Sequence, residues 1–425
     1  MEDLIDKNKE RIFITGGNRL YGTVNVSGAK NAALPLMALS LLISKGFTLS
    51  NVPNLADTRL MLQLLNELGI KSKWKDGVIN FNGLPKKEEA SYELVRQMRA
   101  SILILGPLLA SKGIAKVPLP GGCAIGSRPI DLHIMVMEAL GANVRLDSGY
   151  LIGTVPEEGL KGSKIYFPKI SVGATESAIM TAALAKGQTI IFNAAQEPEI
   201  VDLAKCLNQA GANISGAGTN KISITGVKEL NQTEHKVVED RIEAGSFAIA
   251  ASITMGNVEI KNVNPENLQF FLKALENTGS KVEIFKNSIN ISASDKPYPF
   301  DIVTEEHPGF PTDLQAQYMT LMSIASGKSK ITENIFENRF MHVPELIRMG
   351  ANISVNKQKA IIKGVDYLKG AKVMASDLRA SMCLILGGLA AKGITEIDGI
   401  HHLDRGYENI EYKLSNLGAD IRRAI

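Results

Sequence analysis

The sequence predicts an α/β (α+β) protein of two domains, each built from three copies of one unit of about 70 residues. Three observations predict it. At 425 residues the chain is longer than one hydrophobic core supports. One phrase recurs six times, as LNELGIKSKW, MEALGANVRL, LNQAGANISG, LENTGSKVEI, IRMGANISV and LSNLGADIRR. Its glycines are Gly69, Gly141, Gly211, Gly279, Gly350 and Gly418, at intervals of 72, 70, 68, 71 and 68 residues. A second series, Gly46, Gly113, Gly187, Gly256, Gly327 and Gly393, precedes segments that alternate or carry β-branched residues: FTLSNV, IAKVPL, QTIIFN, NVEIKN, KSKITE and ITEIDG.

Taken in order, each unit reads helix, strand, turn, helix, strand, with room for a third strand. The first helices open at SGAKNAAL, QMRASILI, VGATESAI, IEAGSFAI, FPTDLQAQ and SDLRASMC. The second helices show a 3.6-residue period, as in Ile200, Leu203 and Leu207 or Ile410, Leu414 and Leu417. Glycine ends each of them because a helix C′ residue adopts positive φ, which costs glycine nothing.

Bulk composition narrows the function classes. Hydrophobic residues make up 45% and charged residues 21%, ordinary globular values. A net charge of +3 gives no field for nucleic acid or a membrane surface, and leaves a small anionic ligand open. The start, MEDLIDKNKERIF, lacks an apolar signal region. The most apolar stretch, NAALPLMALSLLI, is too short to span a membrane. Three cysteines suit a reducing compartment, so a cytoplasmic location is expected.

The polar residues collect at two kinds of place. Lys30, Arg99 and Arg379 stand at or near the starts of equivalent helices. The helix dipole is positive there, which disfavours a cation by a few tenths to about 1 kcal/mol unless an anion is present. The second place is the turn after the second strand, as in AAQEPEIVD, FENRFMHVPE and IHHLDRGYEN, and richest in LPGGCAIGSRPIDLH. Here Ser127 can cap, Pro129 suits the first helical position, and Asp131 lies in the first turn. Free N–H groups, a helix start and Arg128 would stabilise a thiolate at Cys123, a candidate acid or nucleophile. Cys206 and Cys383 fall in helical patterns and read as structural. No metal-ligand spacing, Walker A motif or dinucleotide fingerprint occurs.

From ITGGNRLYGTVNVSGAKNAALPL to HHLDRGYENIEYKLSNLGADI the chain resembles the UDP-N-acetylglucosamine 1-carboxyvinyltransferases, a family of enolpyruvyl transferases. Between those ends lie MRASILILGPLLA, KISVGATES, AAQEPEIVDLA, EDRIEAGSF, HPGFPTDLQAQ, FENRFMHVPEL and SDLRASMCL. Ser246 stands where the family usually has threonine. The resemblance implies a two-domain inside-out α/β barrel, each domain three βαβαββ repeats, with residues 30–238 forming one domain and residues 1–29 and 239–425 the other. It implies transfer of the enolpyruvyl group of phosphoenolpyruvate to the 3′-hydroxyl of UDP-N-acetylglucosamine, with release of phosphate and no cofactor. That reaction opens peptidoglycan synthesis and is the target of fosfomycin.

Roles carry over by the same resemblance. Cys123 corresponds to a general acid and Asp313 to the carboxylate that takes the sugar hydroxyl's proton. Lys30, Arg128 and Arg405, with Asn31 beside them, would hold the donor's phosphate and carboxylate. Asp377 would assist proton transfer or orientation. Arg99, the run Arg128, Pro129, Ile130, Asp131 and Leu132, the segment Lys169, Ser171, Val172 and Gly173, and Ile335 would bind the nucleotide sugar. Transfer to shikimate 3-phosphate shares the fold and donor; PGGCAIGSRPIDLH and FENRFMHVPEL argue against it. A non-catalytic scaffold would scatter its polar residues over a face instead of gathering them at helix starts and one type of turn.

Overall fold

The computed structural model describes residues 10–121 and 130–425, so Cys123, Arg128 and Pro129 lie outside the described residues. The chain divides into two compact units. One runs from Gly28 to Val238, and the other joins the chain up to Ser27 with Glu239–Ile425. Inside the first, Ala29 N donates to Val238 O at 2.7 Å; inside the second, Asp240 N donates to Ser27 O at 2.9 Å.

Among the described residues the six copies are visible in the sheets, five of four strands and one of three. In the first copy, Phe47–Ser50 pairs antiparallel with Val78–Asn82, which pairs antiparallel with Lys71–Lys75. On its other side Phe47–Ser50 pairs in parallel with Thr233–Lys236, the last strand of the third copy. Each copy thus hands its final strand to the next, and the third hands its own back to the first. In the second copy the parallel partner has shrunk to a single bridge, Glu89 to Lys116. The last copy is completed from the far end of the chain. Arg11–Thr15 lies between Ile394–Asp398 and Asp420–Ala424, antiparallel to both.

The first helix of each copy is the apolar one and is buried almost all round. All residues of Arg241–Ile253 except Arg241 are buried, as are all eight of Gln315–Met322 and eleven of thirteen in Leu378–Ala390. These three helices pack on one another inside their unit. Burying one Phe247- or Leu384-sized side chain there contributes about 1.5–3 kcal/mol. The second helices, such as Pro198–Gln209 and Gln269–Asn277, bury one stripe.

All six C′ glycines have positive φ, between 92° and 104°. The second glycine series is less uniform, and Gly256 shows why. Its neighbour Met255 takes the left-handed conformation, with φ 52°, and Gly256 is required by closeness instead. A Cβ there would lie 2.1 Å from the Leu20 carbonyl oxygen. Among the described residues no helix is long and apolar enough to cross a membrane.

Candidate active site

Asp313 lies in the short 3-10 turn Thr312–Leu314 that leads into helix Gln315–Met322. Leu314 is fully buried and packs where Gly245 of helix Arg241–Ile253 leaves room; a Cβ at Gly245 would lie 2.4 Å from the Leu314 side chain. Thr312 Oγ1 donates to the Glu333 carboxylate at 3.0 Å, and Ile335 N donates to the same carboxylate at 2.9 Å. Glu333 therefore ties the Asp313 turn to Ile335.

The Asp313 carboxylate is held by two arginines, one per oxygen. Arg339 Nη2 donates to Oδ1 at 2.5 Å and Arg379 Nη2 to Oδ2 at 2.5 Å. Both arginine side chains are nearly buried, 4% and 8% exposed, while the carboxylate is 25% exposed. Burial opposes the Arg379 charge, but the Asp313 carboxylate outweighs it and holds the guanidinium charged well above its ordinary range.

Asp377 caps helix Leu378–Ala390, accepting from Arg379 N at 2.7 Å and Ala380 N at 3.1 Å. Arg405 ends the 3-10 segment Ile400–Arg405, which packs against that same helix. Asp313, Ile335, Asp377 and Arg405 are thus brought together in one unit. Burial and a neighbouring Arg339 push the His342 imidazole down to about 4, against the pull of Asp377.

The other unit gathers a second set. Lys30 is the first residue of helix Lys30–Ala38, followed by Asn31, and its Nζ lies 3.5 Å from Asp57. That helix packs against the 3-10 segment Arg99–Ile104. Asp131 and Leu132 open helix Asp131–Ala139, with Ile130 before it. One residue on, buried His133 has its Nδ1 2.8 Å from Ser177 Oγ in helix Val172–Ala182. Burial and Arg99 lower the His133 pKa to about 4. Ser171 caps the Val172 helix by accepting from Ala174 N at 3.3 Å, and a Cβ on Gly173 would meet His133 at 3.3 Å. Lys169, just before, is exposed. Arg99, Asp131, Leu132, Ser171, Val172 and Gly173 therefore share one neighbourhood.

Comparison with known proteins places the chain. A family model described as EPSP synthase (3-phosphoshikimate 1-carboxyvinyltransferase) matches residues 14–414. A UDP-N-acetylglucosamine 1-carboxyvinyltransferase from Acidiphilium cryptum is 51% identical over 415 residues, 97% of this chain and 99% of the relative. The chain belongs to the enolpyruvyl transferase family. A second relative of the same name, from Zymomonas mobilis, is 50% identical over 422 residues, again with 97% and 99% coverage. Among solved structures, the enolpyruvyl transferase NikO from Streptomyces tendae superposes with a TM-score of 0.85 at 23% identity, covering 98% of this chain and 99% of that one. EPSP synthase from Acinetobacter baumannii gives 0.76 at 18%, covering 98% and 100%. Both show the shared fold.

In this enolpyruvyl transferase two helix-start cations already have protein carboxylates: Lys30 has Asp57 and Arg379 has Asp313. The sequence reading missed Arg339 as a site residue. It stands in the quoted FENRFMHVPE turn, and the available signal was a cation in the same kind of turn that holds Cys123 and Arg405. Cys206 and Cys383 are buried free thiols whose pKa burial raises, in keeping with structural roles.

Proposed function

We propose that this enolpyruvyl transferase is a cytoplasmic enzyme that transfers the enolpyruvyl group of phosphoenolpyruvate to the 3′-hydroxyl of UDP-N-acetylglucosamine, releasing phosphate. The observation that carries the acceptor is 50–51% identity, over 97% of the chain, to relatives named for that reaction. The family model's name points instead to shikimate 3-phosphate, so the acceptor is the point to test.

In the reaction, the sugar oxygen forms a bond to C2 of the donor while its proton passes to Asp313. Cys123 gives a proton to the methylene carbon, which becomes a methyl. In the resulting tetrahedral adduct a proton of that methyl returns to the Cys123 thiolate as the C2–O bond to phosphate breaks, restoring the double bond, and the proton held by Asp313 leaves with the phosphate. Lys30, Arg128 and Arg405, with Asn31, hold the donor's phosphate and carboxylate, and Asp377 orients the transfer. Arg99, Arg128 to Leu132, Lys169, Ser171 to Gly173 and Ile335 receive the nucleotide sugar. Helix starts at Asp131 and Val172 supply N–H donors suited to a diphosphate.

Phosphate release from phosphoenolpyruvate, measured with each acceptor in turn, decides the matter. Release with UDP-N-acetylglucosamine and none with shikimate 3-phosphate is expected, and the reverse would overturn the assignment.

A further inference from the structure

A closed circuit of contacts runs from Asp313 to Ile335 and back. Glu333 ends strand Lys328–Glu333 and is 1% exposed. Its Oε1 accepts from Ile335 N at 2.9 Å and from Phe336 N at 3.1 Å. Thr312 Oγ1 donates to the same carboxylate, 3.0 Å from both oxygens. Beyond Phe336 the circuit passes through Arg339, whose guanidinium carbon stands 5.5 Å from the centre of the Phe336 ring. Arg339 Nη2 closes it, donating to Asp313 Oδ1 at 2.5 Å and to Thr312 O at 3.4 Å.

We propose that Glu333 is a positioning residue that holds the proton acceptor Asp313 and the nucleotide-sugar contact Ile335 at a fixed separation. A carboxylate buried this deeply is costly unless donors compensate it. The donors here come from Thr312, the residue before Asp313, and from the amides of Ile335 and Phe336. One rigid, planar group therefore sets both the base turn and the segment that receives the acceptor. That spacing matters because the sugar hydroxyl must lie within hydrogen-bond reach of its base, and a misplacement of about 1 Å can cost about a hundredfold in rate. Glu333 acts through its neighbours and touches no reacting atom.

The inference rests on the roles of Asp313 and Ile335 in the proposed reaction, and the experiment separates the two. Phosphate release is measured on the full-length enzyme against UDP-N-acetylglucosamine concentration, per folded molecule, in wild type, Thr312→Val, Thr312→Ser, Glu333→Ala and Asp313→Asn. Thr312→Val keeps the side chain's shape and cuts only the base branch. Its kcat should fall about tenfold while KM for the nucleotide sugar holds within about twofold. Thr312→Ser keeps the hydroxyl and should stay within about threefold of wild type in kcat. A role in packing alone gives the opposite order, because valine fills the threonine site and serine leaves a methyl-sized gap. Glu333→Ala frees both branches, so kcat should fall and KM should rise, each about tenfold. The Thr312 pair decides the matter should Glu333→Ala not fold. With Asp313→Asn inactive, a Thr312→Val as fast as Thr312→Ser, or a folded Glu333→Ala with unchanged KM, overturns the role of Glu333 alone. An Asp313→Asn that turns over like wild type overturns the base assignment and this inference with it.

Discussion

His342 offers the sharpest test of the electrostatics around Asp313. It is 2% exposed, its Nε2 has no hydrogen-bond partner among the described residues, and its neighbours include Arg339 and Asp377. Burial, helped by Arg339, sets its folded pKa at about 4 against an ordinary 6.5. A histidine depressed in the folded state stabilises the fold fully above pH 6.5 and loses that contribution as pH falls towards 4. In that window the unfolded chain takes up a proton that the folded chain refuses. At pH 5 the imbalance is about 2 kcal/mol, and by pH 4 it approaches 3 kcal/mol. Urea unfolding of wild type and His342→Gln at pH 7.5, 6 and 5 measures it. Whatever the variant costs at pH 7.5, it should lose about 2 kcal/mol less than wild type on going to pH 5. Parallel losses in the two proteins would refute the reasoning. The same proton would put a second positive charge beside Arg339, so wild-type activity should fall in the same window as stability.

Two further predictions follow from other buried groups. Cys206 and Cys383 are buried thiols with raised pKa, so fosfomycin should alkylate Cys123 alone; peptide mass spectrometry should find one adduct, absent from Cys123→Asp, which should still turn over because it keeps an acid at that position. An adduct on either helical cysteine, or a dead Cys123→Asp, would count against these roles. Glu176 is fully buried near Glu199 and Glu197, and burial followed by those two carboxylates raises its pKa well above the ordinary range. The folded chain therefore keeps a proton that the unfolded one releases above about pH 4.5, and stability falls by up to about 1.4 kcal/mol per pH unit from there upward. Glu176→Gln should remove that slope and raise the urea midpoint more at pH 8 than at pH 5; a larger gain at pH 5 would show the sign to be wrong.

The repeats were legible because a helix C′ glycine answers a local demand. Positive φ at Gly69, Gly141, Gly211, Gly279, Gly350 and Gly418 needs no tertiary context. Gly256 fits the spacing for a different reason, the approach of the Leu20 backbone, and nothing in its neighbours' sequence reveals that contact. The helix starting at Arg99 opens as a 3-10 segment where the pattern suggested an ordinary first turn. At the site, Lys30 and Arg379 stood out as cations at the unfavourable end of a helix. Their carboxylates did not, because Asp57 and Asp313 come from other parts of the chain and only folding brings them within reach.

The placement of Arg11–Thr15 between Ile394–Asp398 and Asp420–Ala424 also dictates when this protein can finish folding. Arg11–Thr15 must wait, unpaired on both edges, until Ile394–Asp398 and Asp420–Ala424, some 380 to 410 residues later, have been made. The Gly28–Val238 half has no such dependence and can close as soon as Thr233–Lys236 has emerged to meet Phe47–Ser50. During synthesis the nascent chain therefore carries a finished half attached to an unfinished one, and the exposed early strand is where a chaperone has most to protect.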